Sequence, residues 1–386
     1  MEPKYNKVEF CRVCNSEKIL ELDINKKFYL SNLDKEIKIG YSICKDCNFI
    51  FQSDYVGNEF LNLYYEKSPM LRRDCPTEFE IDQNLRQASF ISKNLNIKNK
   101  SVLEIGAHAG AFLCHLKNKF NCECYFEELS KEANEVLSAK NGLLDFRNKK
   151  SKKIDLIVLR HVLEHIYDLS SFFNYLKKII SERGSLFIEV PDWSHYDKFT
   201  DPLLFEHLSQ FNSYNLTYLL NKNGFVVEAL EKSVNPNDPS TPNRVVRIIA
   251  SLDSIRKISF PKKEFKIFAE KQYKGWITEI NKILENNLNK SIALYPASHL
   301  SFEAILNTNL KKHNLLGLYD IDLKKQNKFH MGIEVFNTNQ LKIDNPDFIF
   351  LLTLAFEPEI RKSLTKMGLT SEIISIKELI LKSNKG

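Results

Sequence analysis

Four cysteines in two Cys-x-x-Cys pairs, Cys11/Cys14 and Cys44/Cys47, have a spacing that can do chemistry. Each pair offers two thiolates on a tight turn, and four thiolates satisfy a tetrahedral zinc ion with no position left open. That predicts a structural rather than a catalytic metal. The 29 residues from 15 to 43 exceed a compact ribbon spacing and call for a hairpin between the pairs. A second chemical feature is the stretch VLEIGAHAG at 102–110, an apolar strand running through Glu104 into a small-residue turn. Gly106 and Gly110 allow a left-handed backbone and close approach of a ligand. Ala107, His108 and Ala109 stand where a dinucleotide fingerprint has glycines, so the turn suits a nucleoside without a pyrophosphate. In FEELS at 126–130, Glu128 ends a second strand, where a carboxylate accepts hydrogen bonds from a ribose diol. The third feature is a run of histidines, His161, His165, His195 and His207, with Glu206 beside the last. Imidazole titrates near neutrality and can take a proton from a hydroxyl or from carbon beside a ketone. His165 and His207 are the candidate bases, and Glu206 either steadies an imidazolium or serves as the base itself.

These residues need a sheet to hold them. Apolar runs at 101–105, 154–159 and 184–190 alternate with helical patterns at 130–140, 169–182 and 214–223. Such alternation predicts a mostly parallel sheet covered on both faces. The glycine turn, the stretch RHVLEHI at 160–166, and the stretches PDWSH at 191–195 and LFEHLS at 204–209 then follow the carboxyl ends of strands. Ligands bind at that edge of an open α/β sheet. Upstream, 58–98 reads as a helical lead-in. Downstream, the turn-rich stretch 235–243 reads as a surface loop and 261–289 as a charged helix. From Ser291 a strand–helix–strand pattern restarts without a phosphate-type glycine loop. The expected organisation is a zinc-binding segment over 1–57, the main α/β domain over 58–255, a helical connector over 256–290 and a second α/β domain over 291–386.

The composition narrows the function classes. A 43% apolar content supports packed cores, and a net charge of +6 over 386 residues is mild. The densest basic run, at 149–153, reads as a solvated loop, so no nucleic-acid partner is expected. There is no run of eighteen apolar residues and no signal-peptide pattern at the N-terminus, so we expect no membrane association and a cytoplasmic location. Cys75, Cys114, Cys122 and Cys124 lack paired spacing and read as small hydrophobes.

Taken in order, several segments resemble the zinc-containing nucleotide-sugar methyltransferases. They are the cysteine pairs, the E-x-G-x-x-x-G turn, HVLEHI, EVP at 189–191 and FEHLSQF at 205–211. These are class I enzymes that use S-adenosylmethionine (SAM), and the resemblance extends to YDIDLKKQNKFHMGIEV at 319–335. It implies a Rossmann-like α/β sheet with an N-terminal zinc-binding β segment and a C-terminal Rossmann-like domain. It also implies that Glu104, Gly106, Gly110 and Glu128 line the SAM site, a group to which we add His161. Glu206 and His207 match the family's Glu-His pair, in which the histidine is the base, and His165 matches a second family histidine. Tyr64 or Tyr65 matches a substrate-pocket tyrosine, and His108 and His195 are placed on the substrate side. The deoxysugar C-methyltransferases of this family carry Y-H-E-H where this chain has Leu204-Phe205-Glu206-His207, and Y-G-A-x-x-K where it has YPASHLS. We therefore expect O-methylation of a nucleotide-linked hexose or heptose for a bacterial surface polysaccharide. C-methylation of a 4-keto deoxysugar is the alternative, followed by RNA methylation and by a zinc scaffold that binds SAM without turnover.

Overall fold

The computed structural model describes residues 3–67, 78–149, 151–193, 203–233, 245–252, 269–353 and 356–383. Seven strands form the central sheet, in the spatial order Phe225–Ser233, Val245–Leu252, Ile180–Pro191, Ile154–Arg160, Ser101–Ile105, Glu123–Glu127, Leu143–Asp145. The last five in this order run parallel, while Val245–Leu252 is antiparallel to both its neighbours. This is the Rossmann-like α/β architecture expected from the sequence. The chain leaves Ser101–Ile105 toward one edge and later returns to pair Ile154–Arg160 on its other side. That reversal opens a crevice at the carboxyl end of Ser101–Ile105, just where the glycine turn begins.

Strand side chains alternate between two cores, as the two-residue period requires. Val102, Leu156, Val158 and Phe187 pack with Phe112, Leu116 and Ile91 on one face. Leu103, Ile157, Leu159 and Ile188 pack with Phe173, Leu176 and Leu220 on the other. Cys11, Cys44, Cys47, Phe49 and Phe51 join this second core, so the cysteine cluster is seated against the sheet's flanking helices.

The N-terminal hairpin, Ile19–Leu30 with Lys35–Cys44, continues through Ile50–Gln52 to Ser209–Gln210, a two-residue strand from the far side of the sequence. Its other face shares one apolar core with the C-terminal domain, through Phe28, Ile39, Phe302, Ile305 and Leu294. A Lys26–Glu303 ion pair at 2.9 Å is buried in that seam. The C-terminal domain has a six-stranded sheet, parallel except for Phe329–His330. Its Lys325 ammonium bonds Asp320 at 2.7 Å and the Ala297 carbonyl at 2.9 Å, so this part of the motif at 319–335 ties two strand ends together. Among the described residues no helix is long and apolar enough to cross a membrane. The expected loop at 235–243 and the connector residues 256–268 lie outside the described residues.

Candidate functional site

Both cysteine knuckles are built alike. Asn15 and Asn48 follow the second cysteine of each pair in the left-handed conformation, with φ of 63° and 54°. Their N–H groups donate to the Cys11 and Cys44 carbonyls, each at 2.8 Å, which curls both thiols inward. Cys11 and Cys47 Sγ are 3.4 Å apart and Cys14 and Cys44 Sγ 3.5 Å apart, and all four lie within 4.8 Å of one another. Those separations are too long for disulfides and near the roughly 3.8 Å expected between thiolates around a tetrahedral zinc with Zn–S bonds of about 2.3 Å. The donor set fits such an ion.

The glycine turn follows the carboxyl end of Ser101–Ile105. Gly106, His108 and Gly110 all have positive φ, at 72°, 50° and 72°. A Cβ on Gly106 would come within 2.8 Å of Val162 Cγ2, and one on Gly110 within 2.6 Å of Leu137 Cδ2, so glycine is required at both. The Gly106 contact also shows that the turn lies directly against the 160–166 loop. Glu128 is buried beside the turn, one oxygen accepting from His108 N at 2.9 Å and the other from Leu129 N at 2.7 Å. That fixes a carboxylate at the tip of the second strand, where a ribose would approach. His108 itself is exposed, and the helix Ala111–Phe120 is capped by Gly110 instead. Glu104 turns away from the crevice surface. It is fully buried and accepts from Arg160 Nε at 2.6 Å, while Arg160 reaches on to Asn84 and Gln87, each at 2.8 Å. Burial raises the Glu104 carboxyl against the opposing pull of Arg160.

The expected acceptor-side residues come together from three separate stretches. The Tyr64 hydroxyl donates to Glu206 Oε1, the Tyr65 hydroxyl lies 3.1 Å from His165 Nδ1, and the His165 and His207 rings sit edge to face with centroids 5.0 Å apart. Burial pushes His207 down to about 4, and the neighbouring His165 acts in the same direction, so the ring is neutral near pH 7. Burial would raise Glu206, but the Tyr64 phenol and the nearby imidazoles hold it lower, as a carboxylate. Burial also raises Tyr65, with Glu206 and Glu164 adding to it, which keeps the phenol protonated. His161 turns from this group toward Glu164 and Glu189, its ring nitrogens 3.4 and 3.3 Å from their oxygens. Burial opposes its charge, yet the two carboxylates outweigh it and raise it to about 10; water reaching its half-exposed ring tempers that pull. His195 lies outside the described residues.

Several residues at this site carry no assignment from the sequence. Glu164 sits between two histidines in HVLEHI, a signal that could have singled it out. Its side chain is 1% exposed, and neither oxygen accepts a hydrogen bond of good geometry. Burial would raise its carboxyl, but His161, His165 and His207 reverse this and lower it. Glu189 is buried between His161, Gln87 at 2.7 Å and Arg247, an arrangement that holds it down to about 2 despite burial. Arg12, inside the first knuckle, donates to Leu208 O at 3.2 Å, Ile166 O at 2.6 Å and Tyr167 O. Gln52 Nε2 binds the carbonyls of Phe205 and His207 at 2.9 and 3.3 Å, and Lys26 binds that of Leu203 at 2.9 Å. The first knuckle and the N-terminal sheet thereby hold both histidine-bearing loops by their backbone carbonyls.

Residues 79–230 match the family model described as a methyltransferase domain. No match was found among curated proteins. Solved structures with a similar course include the PH0226 protein from Pyrococcus horikoshii OT3, 16% identical over 50% of this chain and 99% of that one, with a TM-score of 0.38. A SAM-dependent methyltransferase from Aquifex aeolicus is 14% identical over 42% and 88% of the two chains, with a TM-score of 0.34. One described as a putative SAM-dependent methyltransferase from Listeria monocytogenes is 13% identical over 43% and 98%, with a TM-score of 0.35.

Proposed function

From a chain that carries a methyltransferase domain, we propose an enzyme that methylates a hydroxyl of a nucleotide-linked hexose or heptose, destined for a bacterial surface polysaccharide. What supports this reading is that two built clusters follow the carboxyl ends of the parallel strands and adjoin through the Gly106–Val162 contact. One holds the Gly106–Gly110 turn and Glu128; the other holds Tyr64, Tyr65, His165, Glu206 and His207. When bound, SAM supplies a methyl on a sulfonium, whose electron pair leaves with the sulfur as the acceptor oxygen takes the carbon. The protein's work is then to align the two partners and accept one proton.

In this reading the turn accepts the nucleoside and Glu128 receives the ribose hydroxyls. His207, neutral and beside the Glu206 carboxylate, takes the hydroxyl proton, and Glu206 stabilises the imidazolium that results. Tyr64 and Tyr65 orient Glu206 and His165 and add hydroxyls to a pocket suited to a polyhydroxylated acceptor. The four cysteines hold a structural zinc, whose role is to fix the loops that Arg12 grips.

Incubation with SAM and a panel of GDP-, dTDP- and UDP-linked sugars, read by mass spectrometry for one added methyl, tests this. NMR of the product separates oxygen from carbon methylation. Transfer to RNA with none to any nucleotide sugar would overturn the reading.

A further inference from the structure

We propose that Glu164, His165 and His207 form a second metal site, one that takes a divalent cation such as Mn2+ on the acceptor side of the crevice. One ligand atom from each of the three lies within 4.8 Å of the others. Two imidazoles and one carboxylate are a donor set for first-row divalent ions that leaves coordination positions open. Donors around an ion with bonds of about 2.1 Å sit about 3.0–3.4 Å apart, so the three need to close by about an ångström.

The state of Glu164 is the independent observation. Its side chain is 1% exposed, and neither oxygen accepts a hydrogen bond of good geometry, the nearest donor being His161 Nδ1 at 3.4 Å. A carboxylate stripped of water and poorly matched to its donors is costly, and nearby positive charge is what recovers that cost. His161 supplies part of it from 3.4 Å, but His161 is also held by Glu189 at 3.3 Å. His165 Nε2 stands 4.0 Å from the same Glu164 Oε1, too far for a hydrogen bond. The 3.1 Å Tyr65–His165 contact admits the tautomer with the proton on Nδ1, and in that tautomer Nε2 carries a lone pair on the side of the carboxylate. Two electron-rich atoms then face each other across a gap that a cation fills. The Tyr65 contact is the outer-shell bond that commonly fixes the tautomer of a metal-ligating histidine. The ion's open positions would hold oxygen atoms of the acceptor sugar, and with His207 engaged Glu206 becomes the proton acceptor. This inference rests on the proposed acceptor side, adds an ion to it and, in the ion-loaded enzyme, moves the proton acceptor from His207 to Glu206.

The test is Mn2+ binding to the zinc-loaded full chain, followed by loss of the free-ion electron paramagnetic resonance signal. Manganese disfavours thiolates, so the cysteine cluster does not compete. The expected result is one saturable site per chain, weakened at least about tenfold by Glu164→Gln and by His165→Ala. SAM affinity equal to that of the parent shows that each variant is folded. If Glu164→Gln fails that check, His207→Ala takes its place. Absence of saturable binding, or binding that keeps its strength in either folded variant, overturns the proposal. Methyl transfer is not read in this experiment, so failure on the sugar panel would strike the proposed function and leave the ion site standing or falling separately.

Discussion

His207 and Glu189 show how burial and neighbouring charge set opposite behaviour in one small region. His207 is held neutral near pH 7, down at about 4, chiefly by burial. His207→Ala is expected to cut kcat by roughly 10²–10⁴-fold with SAM affinity nearly unchanged, measured by steady-state kinetics and calorimetry. A variant with near-parental rate would remove His207 from the chemistry. Glu189 has its carboxyl lowered to about 2, and a depressed acid contributes stability above its unfolded value that is lost as pH falls. The full protein should therefore lose thermal stability between about pH 4.5 and pH 2, by roughly 3 kcal/mol from this group. Glu189→Gln should be less stable at neutrality but flatter across that acid range. Equal slopes for the two proteins would show that Glu189 is not the sensor.

At the scale of elements, the knuckle, the hairpin and the two histidine loops act as one clamp. Arg12 reaches the 160–166 loop and the 204–209 loop at once, because the cysteine knuckle curls it into the space between them. Arg12→Ala should lower kcat by roughly tenfold or more while SAM affinity stays within about twofold, since the donor turn is held by other contacts. Loss of SAM binding in that variant would mean that Arg12 supports the whole domain. Cys44→Ser breaks the donor set from which Arg12 projects and should give insoluble or zinc-free protein. Soluble, active protein without zinc would eliminate the structural-metal reading. Gly106→Ala acts on the glycine turn. Its Cβ meets Val162 at 2.8 Å in a backbone that alanine resists, so SAM affinity should fall at least about tenfold in a calorimetric titration.

Across the whole molecule, the N-terminal sheet reaches Ser209–Gln210 at one end and shares an apolar core with the C-terminal six-stranded sheet. Lys26 pairs with Glu303 of the C-terminal domain and also holds the Leu203 carbonyl at the start of the His207 loop. Glu303→Gln should cost roughly 3 kcal/mol in chemical denaturation, because it leaves the buried ammonium without its carboxylate. Local signals were legible in the chain before any coordinates. The cysteine spacing, the left-handed glycine positions, Glu128 at a strand tip and the alternating strands and helices each depend on residues close in sequence, so their chemistry can be read directly. His165 and His207 could be assigned to the same sheet edge for a similar reason, since both follow parallel strands. The poorly matched carboxylate of Glu164, the buried Glu189–Arg247 pair and the reach of Arg12 across more than 150 residues were not legible. A carboxylate's burial and a guanidinium's partners are properties of the space around them. The sequence by itself determined the sheet, the turn and which side chains are candidates for chemistry. Only the tertiary structure decided which of those side chains face one another, because desolvation and through-space charge act between segments that the chain keeps far apart.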